Sequence, residues 1–139
     1  MEQRDLIKDQ LEALGKALGK ILSNFLGLKT APTNNLVFEQ TNRQLKSELD
    51  IDIKLILGFS QQQLTTYLLE KKIPPPYFEM LINYVIDLGK HAYALDKTKG
   101  RNIIKQAQKM FKILDTQSNT YSFERNQKEE LIKKLLQNN

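Results

Sequence analysis

Ile7, Leu11, Leu14, Leu18, Ile21 and Phe25 recur at alternating steps of four and three. That spacing draws an apolar seam down one face of a helix and predicts a long amphipathic helix over residues 1–27. Leu22 joins the seam and Leu6 flanks it. Acids come early (Glu2, Asp5, Asp9, Glu12) and lysines late (Lys16, Lys20), which suits the helix dipole. Gly27 offers a C-terminal stop, and Pro32 bars continuation. Gly15 and Gly19 stand four apart on one flank. Each costs about 1 kcal/mol against Ala in a helix, so the pair predicts close approach of another helix there. Lysine follows each glycine, which separates the pair from an apolar membrane-dimer motif.

Beyond a loop over 28–35 the periods shorten. Leu36, Phe38, Leu45 and Leu49 predict a helix over 35–48, with a wholly polar middle from Glu39 to Gln44. Asp50 reads as the N-cap of a short helix carrying Ile53, Ile56 and Leu57 and stopped at Gly58. Ser60 with Gln63 forms a capping-box pattern opening a helix with Leu64, Tyr67 and Leu68, which ends near Ile73. Pro74-Pro75-Pro76 breaks the chain, and its last proline can begin the next helix. Phe78, Leu81, Ile82, Val85, Leu88, Gly89 and Ala92 share a stripe over 77–95, widened by Ile86 and Leu95. Lys97-Thr98-Lys99-Gly100 reads as a basic turn. A two-faced helix over 101–114 follows, with Ile103, Ile104, Ala107, Met110, Phe111 and Leu114 inward. Asp115 to Asn119 reads as a polar turn. Thr120 or Ser122 caps a final, largely polar helix reaching Gln137, whose apolar set is Phe123, Leu131, Ile132, Leu135 and Leu136.

Composition narrows the chemistry. The 139 residues suffice for one domain and its own core. There is no cysteine, which excludes disulfides, thiol nucleophiles and thiolate metal sites. His91 is the only histidine, so a histidine-rich metal site is excluded. No phosphate loop, nucleophile elbow or metal-ligand pair is present, and no cofactor is expected. Apolar runs are too short for a transmembrane segment and no secretory signal is visible, so a cytoplasmic location is expected. The net charge of +5 is uneven. Residues 1–96 hold 11 basic and 12 acidic side chains, net −1, whereas residues 97–139 hold 10 and 4, net +6. The last third is thus a basic segment on a nearly neutral body.

Few residues stand out as candidates. Arg101, Lys105, Lys109 and Lys112 line the face opposite the apolar stripe, with Lys97 and Lys99 beside them. Such a stripe suits an acidic protein segment or phosphates, but no aromatics interleave for base stacking, so nucleic acid is not favoured. Tyr67, Tyr77, Phe78 and Tyr84 bracket the proline break and would either line a peptide groove or belong to the core. His91 is a partner contact or general base only if a second group is positioned on it. Glu48, Asp50 and Asp52 lack the spacing and glycine of a calcium loop and read as loop and cap acids. The seam of the first helix is covered by its own domain, by a second copy in a homodimer or by a membrane surface, for which five basic and four acidic residues over 1–29 give weak attraction to anionic lipid.

From Leu88 to Asp115 the chain resembles a tetratricopeptide (TPR) unit. Leu88-Gly89 matches the Leu-Gly pair of that repeat's first helix, and Ala107, Phe111 and Leu114 match positions of its second. Residue 92 is Ala where the repeat often has an aromatic, and the linker between the helices is about six residues longer than the repeat's. The chain also resembles small helical proteins of bacteria, a likeness that implies no activity. The TPR resemblance implies antiparallel hairpins in a right-handed stack and a protein-binding role. The expected whole is a single all-α domain over 1–139 of about seven helices. Its parts are the N-terminal helix 1–27, short helices over 34–73, a TPR-like hairpin over 76–115 and a capping helix over 120–137. It is expected to bind a protein or peptide partner and to have no catalytic activity.

Overall fold

The computed structural model describes residues 12–13, 15–23, 34–118 and 123–137, and every element among them is helical. Residues 15–23 form α1. The rest are α2 (Asn34–Leu49), α3 (Ile53–Gly58), α4 (Gln61–Lys71), α5 (Pro75–Leu95), α6 (Lys97–Ser118) and α7 (Phe123–Gln137). The seam positions Ile7, Leu11, Leu14 and Phe25, the stop at Gly27 and the cap at Thr120 or Ser122 lie outside the described residues. The chain divides into two compact units, Met1–Met80 and Leu81–Asn139, with the division inside α5.

In the first unit each apolar stripe goes inside. Leu18, Ile21 and Leu22 of α1 are buried, as are Phe38 and Leu45 of α2, Ile53 and Ile56 of α3, and Leu64 and Leu68 of α4. The polar middle of α2 is accommodated because Thr41, on the same face as Phe38 and Leu45, is itself buried. The close approach at Gly15 and Gly19 is made by a side chain. The Tyr77 ring of α5 lies on both glycines, and a Cβ at Gly15 would overlap it.

The α2–α4 region is closed by local hydrogen bonds. Asp50 takes a left-handed conformation (φ 53°) after α2. The Asp50 and Ile51 N–H groups donate back to the Lys46 and Leu45 carbonyls, both at 3.1 Å. The N-cap of α3 is therefore Asp52, not Asp50. Its side chain accepts from Lys54 N at 3.0 Å and Leu55 N at 3.4 Å. The Tyr67 hydroxyl accepts from Asp52 N–H at 2.8 Å and donates to the Asp50 carbonyl at 3.3 Å. Lys71 pairs with Asp50 at 3.2 Å and stands 4.9 Å from the centre of the Tyr67 ring. The Ser60–Gln63 capping box is formed as its spacing predicts, and α4 ends on Lys72 in the left-handed region. Pro75 rather than Pro76 begins α5, with the Pro74 carbonyl accepting from Tyr77 and Phe78 N–H.

In the second unit Asp96 alone separates α5 from α6. The expected basic turn at 97–100 is instead the first turn of α6. Asp96 Oδ1 accepts from Lys99 N–H at 3.2 Å, the N-cap bond to the third helical residue. Gly100 then falls inside a helix, where it is needed because a Cβ there would strike the Tyr93 backbone. A Cβ at Gly89 would meet Ile103 and Ile104. The pairs Tyr93–Gly100 and Gly89–Ile104 recede in step from Asp96, as in an antiparallel hairpin. Ile103, Ile104, Ala107, Met110, Phe111 and Leu114 are all buried. Two further expectations fail. The helix runs through Asp115 to Ser118 in place of a turn. Leu95, assigned to the inner stripe, is 74% exposed because it ends α5 beyond the last close crossing at Tyr93.

Candidate binding surface

At ~100° per residue, Lys97, Arg101, Lys105, Lys109 and Lys112 fall on one arc of α6, and the buried residues of that helix lie outside it. Lys97, Lys105 and Lys112 are exposed, while Arg101 and Lys109 are half-buried. Lys99, two residues from Lys97, stands off the arc. From Lys97 to Lys112 the stripe is ~22 Å long at 1.5 Å per residue. Among the described residues, no carboxylate lies within ion-pair distance of Lys97, Lys105, Lys109 or Lys112. Of the acids that flank the stripe in sequence, Asp96 caps α6 through Lys99 N–H at 3.2 Å, and Asp115 is engaged by Arg125 of α7 at 2.8 Å. Where the exposed face of a helix carries paired opposite charges, the charge is satisfied locally. Here four like charges follow one another at spacings of three, four and eight, with mutual repulsion and no internal counter-charge.

The other candidates are placed differently. Tyr84 is 2% exposed, and burial pushes its hydroxyl well above the ordinary phenol range. It belongs to the core. Tyr77 is half-buried and its ring is occupied by Gly15 and Gly19. Phe78 is fully buried and Tyr67 bonds the α3 cap. Of these aromatics, Phe78 and Tyr84 belong to the core, while Tyr67 and Tyr77 are half-buried. His91 is half-buried on α5 and already makes an interaction of its own. Asp50 and Asp52 are taken up in helix ends and ion pairs with Lys71 and Lys46. Among the described residues no group of three or more His, Asp or Glu side chains could hold a metal ion, and no helix is long and apolar enough to cross a membrane. The described part of the first helix is buried within the single chain through Leu18, Ile21 and Leu22.

One cluster was not legible in the sequence. Arg125 of α7 is 5% exposed and pairs with Asp115 of α6. Glu129, one turn on, has its Oε1 buried with no hydrogen-bond partner. Burial first, then the neighbouring Asp115 carboxylate, pushes its carboxyl up to about 7, against the opposing pull of Arg125 and Lys133. The only available signal was the i, i+4, i+7 spacing of Arg125, Glu129 and Ile132 on α7, which reads equally well as a solvated face. Compared with family models, with curated proteins and with solved structures, the chain matches none.

Proposed function

We propose that this chain is a non-catalytic protein-interaction module that receives an acidic segment of a partner protein along the basic face of α6. The observation that carries the reading is the run of lysines at 97, 105, 109 and 112, aligned on one face without an internal acid. An acidic helix with carboxylates at steps of four and three would present complementary charge at matching rise. Flexible ammonium groups suit carboxylates as point charges and tolerate varied partners. The absence of aromatics along the arc disfavours single-stranded nucleic acid, which needs stacking platforms. In the same reading, α5 and α6 form one hairpin of a TPR-like right-handed stack. Support comes from Gly89 and Gly100, small residues placed where the two helices come together. The cytoplasmic location expected from the sequence belongs to the same proposal.

The test is fluorescence anisotropy of the full chain with a labelled acidic helical peptide and, separately, a labelled single-stranded oligonucleotide. The reading expects saturable peptide binding that drops about tenfold in a Lys105→Gln/Lys109→Gln/Lys112→Gln variant, consistent with loss of three charge contacts. Oligonucleotide binding with a steep salt slope and no peptide binding would replace it with a general polyanion binder. Binding of neither probe, or peptide binding that the triple variant keeps, would overturn it.

A further inference from the structure

The face that α7 turns inward is unusual in its chemistry. Arg125, Glu129, Ile132 and Leu136 follow at steps of four, three and four, so they lie on one stripe. Arg125 and Ile132 are buried, Glu129 and Leu136 are half-buried, and Leu131 beside them is 50% exposed. Among the described side chains of α7, Ile132 is the one fully buried aliphatic. Beside these apolar contacts, a polar attachment passes through Asp115 of α6. Arg125 Nε donates to Asp115 Oδ1 at 2.8 Å. Glu129 is set against the same aspartate, and its Oε1 is buried without a donor. Two carboxylates cannot hydrogen-bond each other unless one holds a proton. Among the described residues, the charged groups that face Glu129 are Asp115 from α6 and Arg125 and Lys133 from its own helix. Lys133 is also drawn to Glu130 at 3.5 Å.

We propose that α7 is fastened to α6 by a proton-dependent latch, in which Glu129 donates to Asp115 when protonated while Arg125 clasps the same aspartate. With the proton in place, one carboxylate accepts from both a guanidinium and a carboxylic acid, and the attachment is fully satisfied. Without it, two negative carboxylates face each other, one with a buried oxygen that no donor reaches. Opening α7 then restores water to Glu129 and relieves the repulsion.

The direction with pH follows from the raised carboxyl. Folded Glu129 titrates at about 7 against an ordinary value of 4.5, so the folded state holds the proton more tightly. Its contribution to α7 docking is fully present below the ordinary value and is lost as pH rises toward and through about 7. The latch therefore closes on mild acidification and loosens at neutral to slightly alkaline pH.

The test is hydrogen-exchange protection of the α7 amides in the full chain at about pH 5.5 and about pH 8, corrected for intrinsic exchange. Glu129 is partly exposed and solvent screens it, so an increase in protection of about tenfold is expected on acidification. Amides of α4 serve as the control and should not change in parallel. Glu129→Gln, which can donate to Asp115 at any pH, is expected to hold α7 protected at both values. Pairing the exchange with a carboxyl carbon titration of Glu129 in the unaltered protein covers a failure of the variant to fold. A midpoint near 7 supports the latch. A midpoint in the ordinary carboxylate range, or α7 protection independent of pH, would overturn it.

Discussion

Asp50 and Lys72 each sit in the left-handed region, with φ of 53° and 52°, where side chains other than glycine and asparagine are rarely comfortable. Their circumstances differ. Asp50 is compensated, because its carboxylate holds Lys71 and its carbonyl accepts from Tyr67. Lys72 is exposed and its conformation serves only to close α4, with its N–H donating to the Leu69 carbonyl. A glycine would make that closure without the Cβ clash. Lys72→Gly is therefore expected to raise stability by about 0.5–1 kcal/mol, less the entropy glycine adds to the unfolded chain. Asp50→Gly should gain less or lose, because it gives up the Lys71 pair. Urea denaturation of the two variants checks both signs, and a destabilising Lys72→Gly would show that the lysine side chain does more than its geometry suggests. The same pair of residues shows why the α3 cap was misplaced in the sequence. Asp50 and Asp52 are chemically identical capping candidates two residues apart, and only the backbone turn after α2 decides that the second one caps.

At the scale of elements, the hairpin of α5 and α6 rests on glycines. Gly100→Ala would gain about 1 kcal/mol of helix propensity in isolation. In this fold the new Cβ meets the Tyr93 backbone, which cannot rotate away as a side chain can. The net expectation is destabilisation by about 2–3 kcal/mol, within the range for overpacking. Gly89→Ala meets mainly Ile103 and Ile104 side chains and should cost less. Thermal unfolding of the two variants should rank them in that order. If both are neutral, the close crossing is not the determinant of the hairpin. Gly100 also marks where pattern reading reached its limit. Helix existence and inward faces were legible, because long periodic stripes such as Ile103 to Leu114 leave one way to bury them. A glycine near basic residues reads as a turn unless the partner helix that requires it is known. The aromatics at 77 and 84 were equally ambiguous: helical spacing places them on inward faces, but a groove wall and a core filler share that spacing. Tyr77 was resolved by Gly15 and Gly19, more than fifty residues away in the chain. The Asp115–Arg125–Glu129 cluster was illegible for the same reason, since its meaning arises only when α7 lies against α6.

At the scale of the molecule, the charge asymmetry allows the proposed binding face to be tested without knowing the partner. Residues 97–139 carry net +6, and part of that charge is arranged as like neighbours on α6. Lys105–Lys109 and Lys109–Lys112 are pairs at i, i+4 and i, i+3, each costing ~0.2–0.5 kcal/mol in an exposed helix. If the lysines served the fold, replacing them would weaken it. If they serve a partner, the fold should be indifferent or improve. The Lys105→Gln/Lys109→Gln/Lys112→Gln variant is therefore expected to be as stable as the parent or more stable by up to ~1 kcal/mol. Added salt should narrow that difference, because screening relieves the parent's repulsion and leaves the neutral variant little to gain. Chemical denaturation in urea, which leaves ionic strength unchanged, at low and at moderate salt gives both readings. A variant that loses stability at both salt concentrations would mean that the lysine stems pack on the helix and support the fold, and the stripe would then be structural. A variant that is stabilised and has lost acidic-peptide binding would separate the two roles, with the charge opposing the fold in the free chain and repaid only when a partner supplies the missing carboxylates.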